Sequence, residues 1–157
     1  MPPLSILIKS ASSACNLRCA YCFYADEASI RAVPNYGLMS QAVSHALIEK
    51  AAGAAEGSIT FLFQGGEPTL AGLDFYRDFV SHVKKTVPSA LAVQYAIQTN
   101  GMELDGEWCR FFQENRFLTG LSLDGNRECH DRFRRDGEGK GTYNRVMKAA
   151  RLLEEAG

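Results

Sequence analysis

Three thiols fall within eight residues in the stretch Cys15-Asn16-Leu17-Arg18-Cys19-Ala20-Tyr21-Cys22, and the remaining residues of the 157-residue chain carry just two more, Cys109 and Cys129. A structural zinc ion normally takes four protein ligands, as two cysteine pairs or a mixture with histidine. No second pair is present here, and His45, His82 and His130 are all remote from the cysteines in sequence. A four-iron cube fits three thiolates better, because it leaves one iron without a protein ligand and open to a small molecule. A metal held purely for stability, as zinc or as a cluster, is the non-catalytic alternative.

Other residues with chemical potential sit at similar points along the chain. Gln64-Gly65-Gly66-Glu67-Pro68 closes an apolar run, and its glycines leave no Cβ in the way of a close backbone approach. Ser122 and Asp124 close another apolar run, and Arg134 follows in the next loop. Nucleic acid is not an expected partner, since the net charge is −1 and basic residues are scattered, with pairs such as Lys84-Lys85 and Arg134-Arg135 only. Nor is a membrane, since no apolar run approaches the roughly 20 residues that span a bilayer. The opening MPPLSILIKS lacks the basic start and cleavage site of a signal peptide, so a cytoplasmic location is expected, where thiols stay reduced.

The elements that must position these residues follow from periodicity. Leu4 to Lys9 reads as a buried strand leading into the cysteines, which lie on the loop after it. Ser40 caps a helix with Val43, Leu47, Ile48 and Ala51 on one face and Gly53 closing its end. Ser58 to Gln64 is a second strand. Phe75, Tyr76, Phe79, Val80 and Val83 mark a second helix, interrupted at Pro88. Leu91 to Thr99 is a third strand ending at Asn100-Gly101, and Asp105 caps a helix carrying Trp108, Phe111 and Phe112. Phe117 to Asp124 is a fourth strand, and Thr142 caps a last helix with Val146, Met147, Ala150 and Leu153 on one side and Gly157 at its end. Ala25 to Gly37 and Asp131 to Gly141 read as mobile polar loops, with Cys129 in a loop and Cys109 an inert buried thiol.

Strands alternating with helices imply an α/β fold of parallel units, with ligands at the carboxyl ends of the strands. Every residue singled out above lies at such an end. A final helix with no fifth strand after it predicts an exposed sheet edge at strand four, prone to self-association, and a chain that is the front part of a larger protein.

Cys15-x3-Cys19-x2-Cys22 with Tyr21 before the third cysteine, followed by the Gly-Gly-Glu motif, resembles the radical S-adenosylmethionine (SAM) enzymes. In wider compass, MPPLSILIKSASSACNLRCAYCFY, FQGGEPTLAG, IQTNG and FLTGLSLDG resemble the anaerobic sulfatase-maturating enzymes over nearly the whole chain. That resemblance implies the first four strands of a partial (β/α)6 TIM-like barrel, with residues 1–157 the N-terminal part of a radical SAM core domain. The later half of the barrel, the SPASM domain with its auxiliary clusters, and the proposed catalytic base would all lie beyond residue 157.

The resemblance also implies an oxidoreductase with two cofactors, a 4Fe-4S cluster on Cys15, Cys19 and Cys22, and SAM. SAM would be cleaved reductively to a 5′-deoxyadenosyl radical that oxidises a Cys or Ser of a sulfatase to Cα-formylglycine. Tyr21, Gln64, Gly65, Gly66, Glu67, Ser122 and Arg134 would contact SAM, Glu67 at the ammonium, Ser122 and Arg134 at the carboxylate. Tyr24, with Gln64, would line the substrate. The implied partners are an unfolded sulfatase peptide of the Cys/Ser-x-Pro-x-Arg type and an electron donor such as flavodoxin or ferredoxin. A radical SAM enzyme installing a thioether crosslink in another peptide would share all the cofactor residues.

Overall fold

The computed structural model describes residues 3–157; Met1 and Pro2, which begin the segment read as lacking a signal peptide, lie outside them. Its centre is a parallel sheet in the order β1-β2-β3-β4, built from Leu4–Ile8, Ser58–Phe63, Ala92–Thr99 and Phe117–Leu121. Among the described residues, six α-helices connect and flank the strands: α1 Phe23–Ser29, α2 Gln41–Ala54, α3 Leu73–Thr86, α4 Gly106–Glu114, α5 Arg127–Phe133 and α6 Tyr143–Ala156. A 3-10 turn, Pro68–Ala71, follows β2. The parallel α/β architecture expected from the alternation is therefore present.

Side chains of a strand alternate between faces, and here the two faces differ sharply. One packs Ile8, Ile59, Phe61, Phe63, Tyr95 and Ile97 against the helices, where Phe75, Tyr76, Phe79, Trp108 and Phe112 complete the core. Phe63 meets Phe79 edge-on at 5.1 Å and Tyr76 at 4.9 Å. Burial of each such side chain contributes about 1.5–3 kcal/mol, so this aromatic layer dominates the stability of the sheet. The other face carries a row in register, Leu7 beside Leu62, Leu62 beside Ala96, Ala96 beside Leu118. Leu7 is 50% and Leu118 76% exposed. β1 is thus covered on one face only, which corrects the reading of Leu4 to Lys9 as a buried strand.

Several local expectations also change. α2 runs through Gly53 to Ala54, and it is Gly57, with φ of +79°, that turns the chain into β2. The segment from Ala25 to Gly37 is not all loop, because its first residues belong to α1. Likewise Asp131 to Gly141 begins inside α5, which also carries the exposed Cys129, and then forms a turn organised by Asp136, whose carboxylate accepts from the Glu138 and Lys140 N–H groups. Both missed helices have seven residues, too few to show an apolar stripe. Thr142 makes no side-chain cap bond to α6; its hydroxyl donates to the Arg134 carbonyl at 2.9 Å and meets His130 Nε2 at 3.0 Å.

Candidate active site at the carboxyl ends of the strands

The cysteine loop leaves β1 and is pinned on two sides. Glu67 N–H donates to the Ala14 carbonyl at 2.7 Å. Arg18 and Ala20 N–H groups donate to the carbonyls of Arg135 and Phe133 at 2.7 and 2.9 Å, so the loop lies antiparallel to the chain leaving α5. Leu17, 3% exposed, plugs it into the fold between the first two cysteines. Cys22 then starts α1. All three thiols are free and half-buried. Burial pushes the Cys15 thiol up, against the lowering effect of the Leu17 N–H; burial also pushes Cys19 up, against the Arg134 guanidinium. Ligation of a metal here must therefore displace protons.

A cavity of about 270 Å³ brings together Cys15, Cys19, Cys22, Glu67, Ser122 and Arg134, with Tyr21, Tyr24 and Gln64 to Gly66 on its walls. Residues spread over 120 positions of sequence thus meet at one place, at the ends of all the strands. Among the described residues, no trio of His, Cys, Asp or Glu converges tightly enough to hold a single metal ion. Three thiols on one cavity whose lining includes no histidine fit a four-iron cluster that leaves one iron open better than a zinc ion that takes four protein ligands. Cys109 is 2% exposed in α4, where burial pushes its thiol up, consistent with an inert core residue.

Glu67 is placed differently from a surface carboxylate waiting for an amine. It is 1% exposed. Its Oε1 accepts from Thr69 N–H at 3.1 Å, Thr69 Oγ1 at 2.6 Å and Thr99 Oγ1 at 2.6 Å, and its Oε2 accepts from Asn100 N–H at 2.7 Å. Oε2 keeps room for one further donor. Ahead of it, Gly66 adopts φ of +61°, and a Cβ there would overlap the Ala14 carbonyl and lie 3.0 Å from that of Ser12. Gly66→Ala is expected to cost about 1–3 kcal/mol through backbone strain and that collision. A lowered melting temperature together with reduced iron loading would register it.

Arg134, read from sequence as a loop arginine, is held. Its Nε donates to Asp124 Oδ1 at 2.9 Å, its Nη1 lies 3.9 Å from Cys19 Sγ, and its guanidinium sits 5.4 Å from the Tyr21 ring. The Tyr21 hydroxyl donates to the other oxygen of Asp124. Burial alone would push the Asp124 carboxyl up, but the Tyr21 and Arg134 donors outweigh it and hold it below the ordinary range. Burial and the bond to Asp124 push the Tyr21 phenol up to about 12. His130, fully buried, accepts the Asp124 N–H at Nδ1 at 3.3 Å, and burial together with Arg134 pushes its pKa down, so it serves as a neutral brace for this turn.

Two residues that sequence reasoning gave no role complete the site. Gln98 donates to Ser122 Oγ at 2.9 Å, and Gly120 makes this approach feasible, since a Cβ there would overlap the Gln98 amide. A polar side chain between Ile97 and Thr99 on a buried strand was the available signal. Asn100, at the end of β3, donates to Asn16 Oδ1 at 2.8 Å and faces Cys15 Sγ at 3.7 Å.

The family model for the radical SAM superfamily matches residues 10–157. The chain belongs to the radical SAM superfamily. It is 48% identical over 153 residues to the cysteine-type anaerobic sulfatase-maturating enzyme of Clostridium novyi, covering 98% of this chain and 41% of that one. Against the serine-type anaerobic sulfatase-maturating enzyme of Klebsiella aerogenes the identity is 37%, covering 98% and 37%. The solved structure of native anSMEcpe with bound AdoMet (SAM) and Cp18Cys peptide superposes with a TM-score of 0.90 at 42% identity, covering 99% of this chain and 41% of that chain. The radical SAM chain described here thus spans about two fifths of the length of these relatives, and its four parallel strands correspond to part of a radical SAM barrel.

Proposed function

We propose that this chain is the cluster- and SAM-binding portion of an anaerobic sulfatase-maturating enzyme, an oxidoreductase that converts a Cys or Ser of an unfolded sulfatase peptide to Cα-formylglycine. The observation that carries the proposal is the meeting of Cys15, Cys19, Cys22, Glu67, Ser122 and Arg134 around one cavity, in a chain 42% identical to a structure with bound AdoMet and peptide. Greater identity to the cysteine-type than to the serine-type relative favours a cysteine target.

Cys15, Cys19 and Cys22 hold a 4Fe-4S cluster. Bound together, cluster and SAM supply an electron and a hydrogen-abstracting carbon radical. Glu67 Oε2, fixed by Asn100 N–H, offers its spare lone pair to the SAM ammonium, and the Gly65-Gly66 backbone passes close without a Cβ in the way. Arg134 and Ser122 take the SAM carboxylate, Arg134 aimed by Asp124 and Ser122 by Gln98. Tyr21 packs beside the cysteines, its hydroxyl occupied by Asp124. Tyr24, whose ring lies 4.4 Å from Lys9 Nζ, and Gln64 face the peptide and keep water from the reacting carbon. Electrons come from a one-electron carrier of the flavodoxin or ferredoxin type. A cytoplasmic setting agrees with cysteines that are all free, and no described helix is long and apolar enough to cross a membrane.

The test uses the full-length enzyme, reconstituted anaerobically with iron and sulfide and supplied with SAM, a reductant and a peptide containing Cys-x-Pro-x-Arg. The expected product has the mass of a thiol-to-aldehyde conversion and reacts with a hydrazide. Loss of two hydrogens without an aldehyde would instead assign a crosslinking reaction, and a colourless zinc protein indifferent to SAM would reduce the site to a scaffold.

A further inference from the structure

The cysteine sulfurs have unequal surroundings. Cys15 Sγ faces two nitrogen donors, Leu17 N–H at 3.4 Å and Asn100 Nδ2 at 3.7 Å. Leu17 belongs to the cysteine loop itself, but Asn100 is 85 residues away, at the end of β3. Its side-chain orientation is decided by three contacts. Oδ1 accepts the Met102 N–H at 3.0 Å, while Nδ2 donates to Asn16 Oδ1 at 2.8 Å and turns its second hydrogen toward Cys15. The flipped amide would set oxygen against the Asn16 oxygen and against a thiolate, and nitrogen against an N–H, so the network leaves one arrangement. The Asn100 backbone is separately fixed by its N–H to Glu67 Oε2, and the residue is 6% exposed.

A donor held this way toward a ligand sulfur has an electronic consequence. Hydrogen bonds to cysteine sulfurs draw negative charge off the thiolate and favour the more negative, reduced state of an iron-sulfur cluster. In a poorly hydrated pocket that effect is stronger than in water. Neither Glu67, Ser122 nor Arg134, the residues assigned to SAM, donates to the Cys15 sulfur. We infer that Asn100 is a tuning residue for the cluster: its side-chain N–H donates to the Cys15 sulfur and raises the cluster's reduction potential, which eases entry of the single electron from the carrier protein. This rests on the assignment of a 4Fe-4S cluster to the three cysteines made above.

The test is a potentiometric titration of the full-length enzyme without SAM, following the EPR signal of the reduced cluster, for the parent and for Asn100→Ala and Asn100→Asp. Removing the donor should lower the reduced-to-oxidised ratio at a fixed poise by about threefold to tenfold, the upper figure being about 59 mV for a one-electron couple. Asn100→Asp, which places a carboxylate where the donor stood, should move the midpoint further in the same direction. A merely structural role would lower iron content and leave the midpoint of the loaded clusters where it was. Midpoints equal to the parent's in both variants overturn the inference, as does a failure of both variants to load iron while the parent does. A parent enzyme without a four-iron cluster would instead bring down the cluster assignment, and that is seen before any substitution is made.

Discussion

Cys19→Ala is expected to yield a folded, colourless protein that leaves SAM intact. Two thiolates cannot retain a cube that needs three, and no neighbouring group can substitute: His130 is buried with both ring nitrogens engaged, and the exposed Cys129 lies on α5, outside the group of side chains around the cavity. The fold itself should persist. The loop around Cys19 is held by backbone bonds from Arg18 and Ala20 to the chain after α5, and these do not involve the sulfur. Iron and sulfide content, visible absorbance and release of 5′-deoxyadenosine under dithionite measure the outcome, with circular dichroism as the control for folding. A brown Cys19→Ala protein with a full complement of iron would contradict the ligand assignment.

Glu67→Ala is expected to damage the fold before it damages SAM binding. The carboxylate is the common acceptor for Thr69 N–H, Thr69 Oγ1, Thr99 Oγ1 and Asn100 N–H, joining the turn after β2 to the end of β3. Buried donors stripped of their acceptor cost about 1–3 kcal/mol each. The two hydroxyls can rotate to other partners, but the two backbone N–H groups cannot. A loss of about 3 kcal/mol or more follows, read as a fall in melting temperature of roughly 6–12 °C for a domain of this size. Glu67→Gln, which keeps one acceptor oxygen, should lose less. A Glu67→Ala protein as stable as its parent would show that the donors find other acceptors.

How much of this could be read from the chain alone depends on the range of the interaction. Cys15, Cys19 and Cys22 group by their spacing, and the structure places them on one cavity; β2, β3 and α3 are legible in periodicities that the aromatic core then satisfies. Glu67 was recognised as important, but its burial was not, because Thr99 and Asn100 reach it from over 30 residues away. The same holds for Arg134, which the sequence places only in a loop: its partner Asp124 is fixed in turn by Tyr21, 103 residues from Asp124. α1 and α5 escaped because seven residues show no periodic stripe, although Asn126 accepting the Cys129 N–H was an available start signal for α5.

The Glu67 knot also bears on the order in which the protein is assembled. Every one of its bonds joins groups supplied by the polypeptide, so none of them waits on iron or sulfide. Unlike small zinc modules that remain unfolded until metal arrives, this protein would receive iron and sulfide into a mould already set. Metal delivery can then follow synthesis at leisure, and chelation should strip colour from the protein without melting it.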